Sequence, residues 1–188
     1  AAGAGSGGNI RIVAREEVRV AGVNEQWDRV SGIFSDSNGP GAAGTITVEG
    51  RRVELADGGA ISSTAFGGAA AGGWGSIAVT ASESLRILGT HQSDNGNLDR
   101  SGIFTNTEGE AFAGDIVIET PRLEVHDGGL IVSSTLGQLP GARGDGRIDI
   151  EGELGVTLAV DVISGKRRRG RQRGPQQQRA ANGGGACL

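Results

Sequence analysis

The chain has 188 residues and a formal net charge of −4 at pH 7, with 36 Gly, 4 Pro and 3% aromatic residues. Collagen is excluded because Gly does not recur at every third position, and no apolar run reaches the roughly 18 residues of a membrane span. Because aromatic residues are so few, the core must be built from Ile, Val, Leu and Ala. No secretory signal peptide is visible, and because the sequence begins at Ala1 rather than Met, we expect a piece of a longer protein.

Taken in chain order, the first elements share one plan, Gly-x-Ile-x-Val/Ile followed by polar residues and then apolar-x-apolar. Its copies begin at Gly8, Gly44, Gly75, Gly114 and, in part, Gly146. Alternation with a period of two over so few residues predicts short strands, each with one buried face. No apolar pattern of helical period appears at useful length anywhere before the basic tail.

A longer direct repeat is superimposed on this plan. Residues 31–44 (SGIFSDSNGPGAAG) match residues 101–114 (SGIFTNTEGEAFAG). Asp-Gly-Gly triplets at 57–59 and 127–129 keep the same separation along the chain and predict turns, in which Asp caps backbone amides. A direct repeat of strands and glycine turns favours a solenoid over a sandwich or a propeller.

We therefore predict an all-β, right-handed parallel β-helix over residues 1–165. Each repeat of about 70 residues would divide into about three turns of about 20–25 residues, which gives roughly seven coils and a rod about 35 Å long at ~4.8 Å per coil. The residues predicted to form the core are Ile10, Ile12, Val18, Val20, Ile33, Ile46, Val48, Val53, Leu55, Ile61, Ile77, Val79, Leu85, Ile87, Ile103, Ile116, Ile118, Leu123, Val125, Ile131, Ile148 and Ile150.

Charge separates the two ends of the chain. Residues 1–165 hold all 22 acidic residues but only 11 of the 18 basic ones, whereas residues 166–188 carry seven basic residues and no acid. The acidic body argues against binding to nucleic acid. The basic tail lacks an apolar period and is predicted to be disordered. A break in the reading frame, a genuine basic arm and a cloning scar are all compatible with its composition.

The segments ASESLRI (81–87) and SGIFTNTEG (101–109) carry a family resemblance. Over about residues 7–158 the chain resembles the repeat region of filamentous-haemagglutinin-like large exoproteins of bacterial two-partner secretion systems. The resemblance implies a right-handed parallel β-helix, export through an outer-membrane transporter engaged by a region not in this chain, and a place outside the cell or on its outer surface. It also implies adhesion to host-cell or glycan receptors, although some members serve other roles.

Signals for catalysis are weak. His91 and His126 lack metal-ligand spacing, and the GxGxxG match at 39–44 is not followed by a helix. We predict no catalytic residues, no metal and no cofactor, and a structural shaft of a surface adhesin. The alternative is a carbohydrate-active β-helix enzyme, which three or more acidic residues clustered on one face of adjacent coils would favour.

Two segments are candidate contact surfaces. Arg143, Gly144 and Asp145 form a tripeptide that integrins recognise in other proteins, but about one chain in six of this composition would contain it by chance. The insert 89–100, with His91, Asp94 and Asp99, and its partner near 22–30 depart from the repeat. We expect both inserts to project from the shaft.

Overall fold

The computed structural model describes residues 5–24, 26, 29–66, 75–94, 96–108, 113–135 and 146–152, and in these ranges the protein is all-β, without a helix. The strands are β1 (Ile10–Val13), β2 (Glu17–Ala21), β3 (Val23–Asn24), β4 (Arg29–Val30), β5 (Gly32–Phe34), β6 (Ile46–Ala56), β7 (Ala60–Ser62), β8 (Ile77–Leu88), β9 (Thr90–Gln92), β10 (Leu98–Arg100), β11 (Gly102–Thr107), β12 (Ile116–Glu119), β13 (Leu123–His126), β14 (Leu130–Thr135) and β15 (Ile148–Glu151). None of the described segments is a helix that could span a membrane. The tail at 166–188 lies outside the described residues.

Two parallel sheets wind around one core and form a β-solenoid. The larger sheet has the order β1-β6-β8-β12-β15, with β2 beside β6 and β13 beside β8, and the smaller has the order β14-β11-β7-β5. Successive coils therefore consist of β1, β2 and β5, then β6 and β7, then β8 and β11, then β12, β13 and β14, with β15 beginning a fifth. The predicted parallel β-helix is confirmed.

The predicted number of coils was wrong. Ile10 pairs with Ile46, Ile46 with Ile77, Ile77 with Ile116, and Ile116 with Ile148, so each of these isoleucines marks the start of a new coil. The long repeat is two coils rather than three, and the described chain forms about 4 turns instead of seven. The expected coil was too short because each coil contains, besides its strands, long corners or a hairpin.

The core contains every residue predicted for it. Most are fully buried, and half-buried members of the set occur in the first coil and in β15, which have a described neighbour on one side only. The structure adds Ala81 to the buried cluster and Ala14 at its margin. Like side chains stack on like, as in the row of Ile46, Ile77 and Ile116.

A close approach of backbones explains the Gly that opens the copies of the plan from Gly44 onward. A Cβ added to Gly75 would lie 2.6 Å from the carbonyl oxygen of Gly44 in the preceding coil, so no side chain fits at this corner. Buried hydroxyl groups satisfy these carbonyls: Ser63 donates to Gly44 at 2.6 Å, and Thr105 donates to Gly114 at 2.6 Å. The glycines and the hydroxyl groups at this corner thus jointly fix the spacing between coils.

Hairpins and tight turns alternate at one corner, and this alternation makes the repeat two coils long. Coils one and three carry the antiparallel hairpins β3–β4 and β9–β10, whereas coils two and four carry the Asp-Gly-Gly turns. Asp57 (φ 51°) and Gly58 (φ 87°) both have left-handed backbones, and the Gly59 amide donates to the Ala56 carbonyl at 2.8 Å. Asp is therefore present because it tolerates this turn geometry, and Asp127 (φ 53°) repeats it.

Candidate functional site

An aromatic row runs along the outer face of the smaller sheet. In each SGIF segment the Ile points into the core and the Phe points outward. Phe34 and Phe104 both pair in register with Ser62, which lies on the strand between them. Phe34 is 42% exposed, and its ring lies over Gly32, where an added Cβ would overlap it. The Gly of the motif thus leaves room for the ring, and Phe104 repeats the arrangement over Gly102.

A polar row follows on the same face, two residues further along the chain in each coil. Bridges that pair Ala65 with Ser37 and with Thr107 set the register, so Asp36, Thr64 and Asn106 lie side by side. The Asp36 carboxylate accepts hydrogen bonds from the Thr64 amide at 2.8 Å and from the Ser62 hydroxyl at 3.1 Å. These contacts hold the carboxylate in a fixed position at the surface.

Further apolar groups and a hairpin enclose these rows in an open groove of about 410 Å³. Phe66, which is 45% exposed, lies beyond the polar row in the second coil. On the other side, strand β10 contributes Leu98, Asp99 and Arg100 to the wall. The Arg100 guanidinium donates to the Gly128 carbonyl at 3.3 Å, which fastens the hairpin to the fourth coil.

The projecting inserts predicted from sequence are these hairpins, and the structure separates their candidate residues. His91 and Asp99 face each other across β9 and β10, and Asp99 lines the groove. Asp94 is exposed at the hairpin tip and does not line the groove. Arg143, Gly144 and Asp145 lie outside the described residues.

The second coil holds both hairpins apart. A Cβ added to Gly58 would lie 2.9 Å from the Val23 side chain of the first hairpin and 3.3 Å from the His91 side chain of the second. The Ser101 hydroxyl accepts from the Gly58 amide at 3.0 Å and donates to the Leu88 carbonyl at 2.7 Å. The Ser of the SGIF motif therefore anchors the wall of the groove to the neighbouring turn.

The outer face of the larger sheet carries paired charges. Arg51 hydrogen-bonds the Glu83 carboxylate and thereby holds the pKa of Glu83 below its ordinary value. Arg86, assisted by Arg122, lowers the pKa of Glu124 in the same way. Each of these two carboxylates has a cationic partner from an adjacent coil, so these pairs link the coils across this face.

Within the described ranges, no group of three or more His, Cys, Asp or Glu residues is placed to hold a metal ion. The groove brings two carboxylates, Asp36 and Asp99, to one face.

The sequence reasoning missed the residues that form the floor of the groove. Of the SGIF motif at 31–34 and 101–104, the sequence pattern predicts only the inward Ile as a core residue. The outward Phe at the equivalent position of both copies was the available signal, since a large apolar side chain on the solvent face of a repeated strand needs an explanation.

In comparisons with known proteins, no family model, curated protein or solved structure matches the chain.

Proposed function

We propose that this chain is a structural shaft segment of a secreted bacterial surface adhesin or related exoprotein, and that it presents its outer surface without catalysing a reaction. The observation that carries the proposal is the β-solenoid, in which equivalent polar side chains recur at the same position of successive repeats. Glu54 and Glu124, for example, lie 70 residues apart in the chain and both pair in register with Arg86, whereas a catalytic centre needs unlike groups converging at one place.

The fold is stabilised by contacts between neighbouring coils, and this suits export of an unfolded chain. Each coil pairs with its neighbours, so folding can proceed coil by coil as the chain emerges. Cys187 is the only cysteine, so no internal disulfide can form to obstruct passage. Together with the resemblance to exoproteins of two-partner secretion systems, these features support export through an outer-membrane transporter, engaged by a region not in this chain.

The charge of the solenoid supports a partner other than nucleic acid. Residues 1–165 carry twice as many acidic as basic side chains, and such a surface repels phosphates. Host-cell or glycan receptors remain the proposed partners, and the outer cell surface or the medium remains the proposed location.

Export can be tested with a fusion protein. The chain is placed between the secretion domain of a two-partner exoprotein and an epitope tag, and it is expressed in a Gram-negative host with or without the matching transporter. We expect the epitope to become accessible to antibody on intact cells only when the transporter is present. Retention inside the cell in both cases would contradict the proposal.

The proposal that the chain does not catalyse a reaction has a separate test. The purified chain is incubated with a panel of polysaccharides, and reducing ends are measured. We expect no release above the buffer control. Cleavage by the parent that is lost in Asp36→Asn or Asp99→Asn, while both variants melt like the parent, would favour the carbohydrate-active enzyme instead.

A further inference from the structure

We propose that the groove on the smaller sheet is a binding site for an extended, uncharged oligosaccharide, which runs along the solenoid axis across Phe34 and Phe104. This inference deepens the proposed function, since it names the chemical class of ligand that the presented surface would take. It concerns binding by the folded chain in solution and does not depend on the route of export.

The first argument is the spacing of the rings. Phe34 and Phe104 flank Ser62 in register, so the two rings lie two strand spacings apart, about 9.6 Å. This is about the length of one disaccharide in an extended chain. Because strands cross the solenoid axis, a line through the two rings runs along the rod, and a linear polymer lying on it would meet a ring at every second sugar.

The second argument is the chemistry of the floor. A pyranose ring has apolar C–H faces and a rim of hydroxyl groups that both donate and accept hydrogen bonds. Phe rings suit the apolar faces. The neighbouring row of Asp36, Thr64 and Asn106 offers a carboxylate, a hydroxyl and an amide, which together supply acceptors and donors for the rim. Phe66 lies beyond this row, so polar groups have apolar groups on both sides.

The third argument is that the floor is already fixed. Two hydrogen bonds hold the Asp36 carboxylate, and the rings of Phe34 and Phe104 are seated over glycines. The strands beneath them belong to a continuous parallel sheet. Binding therefore costs the ligand its own conformational freedom but requires little additional ordering of the protein. This small cost on the protein side favours binding.

The fourth argument, charge, selects among glycans. The charged residues of the groove are Asp36, Asp99 and Arg100, and Arg100 is engaged with the Gly128 carbonyl. Two carboxylates beside one guanidinium repel sulfated or uronic-acid chains, and the surrounding body is also acidic. An uncharged chain meets no such electrostatic repulsion, so it is the occupant that the groove fits.

The test uses the purified chain and isothermal titration calorimetry with cellohexaose, chitohexaose and mannohexaose as uncharged probes and a heparin-derived hexasaccharide as the anionic probe. We expect at least one uncharged hexasaccharide to bind and the heparin probe not to bind. For the sugar that binds, the tetrasaccharide should bind at least about tenfold more tightly than the disaccharide, because only the longer chain reaches both rings.

Variants then locate the site. Phe34→Ala and Phe104→Ala should each weaken binding about tenfold, the value expected when one stacking contact of roughly 1.4 kcal/mol is lost. Phe34→Leu keeps an apolar cover over Gly32 but lacks the ring, so it separates ring stacking from damage to the fold, and circular dichroism and melting are recorded for each variant. Val13→Ala changes an exposed apolar residue on the other sheet and should leave binding unchanged.

The inference is overturned if no uncharged hexasaccharide binds at millimolar concentration, if only the heparin probe binds, or if folded Phe34→Leu and Phe104→Ala bind like the parent. These outcomes are distinct from failure of the proposed function. A chain that is exported but binds no sugar loses this inference alone, and a chain that binds sugar but is not exported loses the proposed export alone.

Discussion

Arg19 and Glu54, from adjacent coils, form an ion pair in which the guanidinium donates to the carboxylate at 2.9 Å. Glu54 also accepts from Arg86 in the third coil at 2.9 Å, and Arg86 in turn donates to Glu124 in the fourth at 3.0 Å. Charges thus alternate from coil to coil along one row. Because the Ile and Val rows are nearly the same in every coil, this alternation opposes a slip of one coil, which would place like charges together.

Reversal of one charge in this row should destabilise the protein, and reversal of all four should recover part of the loss. Recovery is incomplete because Glu124→Arg also breaks the ion pair between Arg122 and Glu124, which is 2.8 Å long. Glu54→Arg places three cations in succession, and we expect a lower urea midpoint with an unchanged m-value. The fourfold variant Arg19→Glu, Glu54→Arg, Arg86→Glu, Glu124→Arg regains alternation. The loss should be smaller than for a core substitution, since solvent screens these pairs. A fourfold variant no more stable than Glu54→Arg would contradict this account.

Acid should weaken the fold through Glu83 and Glu124. Arg51 and Arg86 lower the pKa of these carboxylates in the folded protein below the ordinary 4.5, so the unfolded chain binds protons first as pH falls. The stabilisation is complete above about pH 4.5 and is lost as the pH falls from there through the folded-state pKa. Urea unfolding between pH 7 and pH 3 measures this loss as a decrease in the free energy of unfolding.

A matched variant identifies the source of this acid dependence. Glu83→Gln removes one of the two titrating groups and should flatten part of the slope below pH 4.5. Glu108→Gln, at an exposed position that directly follows β11, is the control for the replacement of a surface carboxylate. Equal slopes in Glu83→Gln and the parent would show that Glu83 is not linked to stability.

A charge placed within a buried row of stacked isoleucines should be severely destabilising. Ile116 is completely buried between Ile77 and Ile148, so Ile116→Asp buries an unpaired carboxylate and should cost more than about 4 kcal/mol. Val117→Asp changes the next residue, which points outward, and should cost far less. Urea unfolding compares the two, and equal losses would mean that the assigned inward register is wrong.

The predictable part of the fold is the part that repeats. Inward positions such as Ile46 and Ile116 follow from period-two alternation, because stacking of coils buries one face of every strand. The coil count was missed because alternation marks strands and does not show which of them lie in the same coil. That assignment depends on the cross-coil partner of each strand, such as Ile46 with Ile77, and the partner is a long-range contact.

The candidate site was harder to predict because it forms across coils. Phe34, Asp36 and Asn106 are ordinary surface residues of their own segments, and they share a groove only through the register of three strands. The projection of the insert 89–100 was predictable from its departure from the repeat. Its role as a wall that brings Asp99 to the groove was not, since the direction of a hairpin is set by its contacts with neighbouring turns.

Gly58 should be far less tolerant of a side chain than Gly96, although both have a φ of 87°. An added Cβ at Gly96 meets nothing within 4 Å, so Gly96→Ala should cost only the strain of a left-handed backbone, about 1 kcal/mol. At Gly58 the same methyl group would lie 2.9 Å from Val23 and 3.3 Å from His91. Gly58→Ala must therefore push the two hairpins apart, and we expect an additional loss of about 2 kcal/mol. Thermal and urea unfolding of the pair give the difference directly. If the two variants lose the same stability, the hairpins do not pack against this turn.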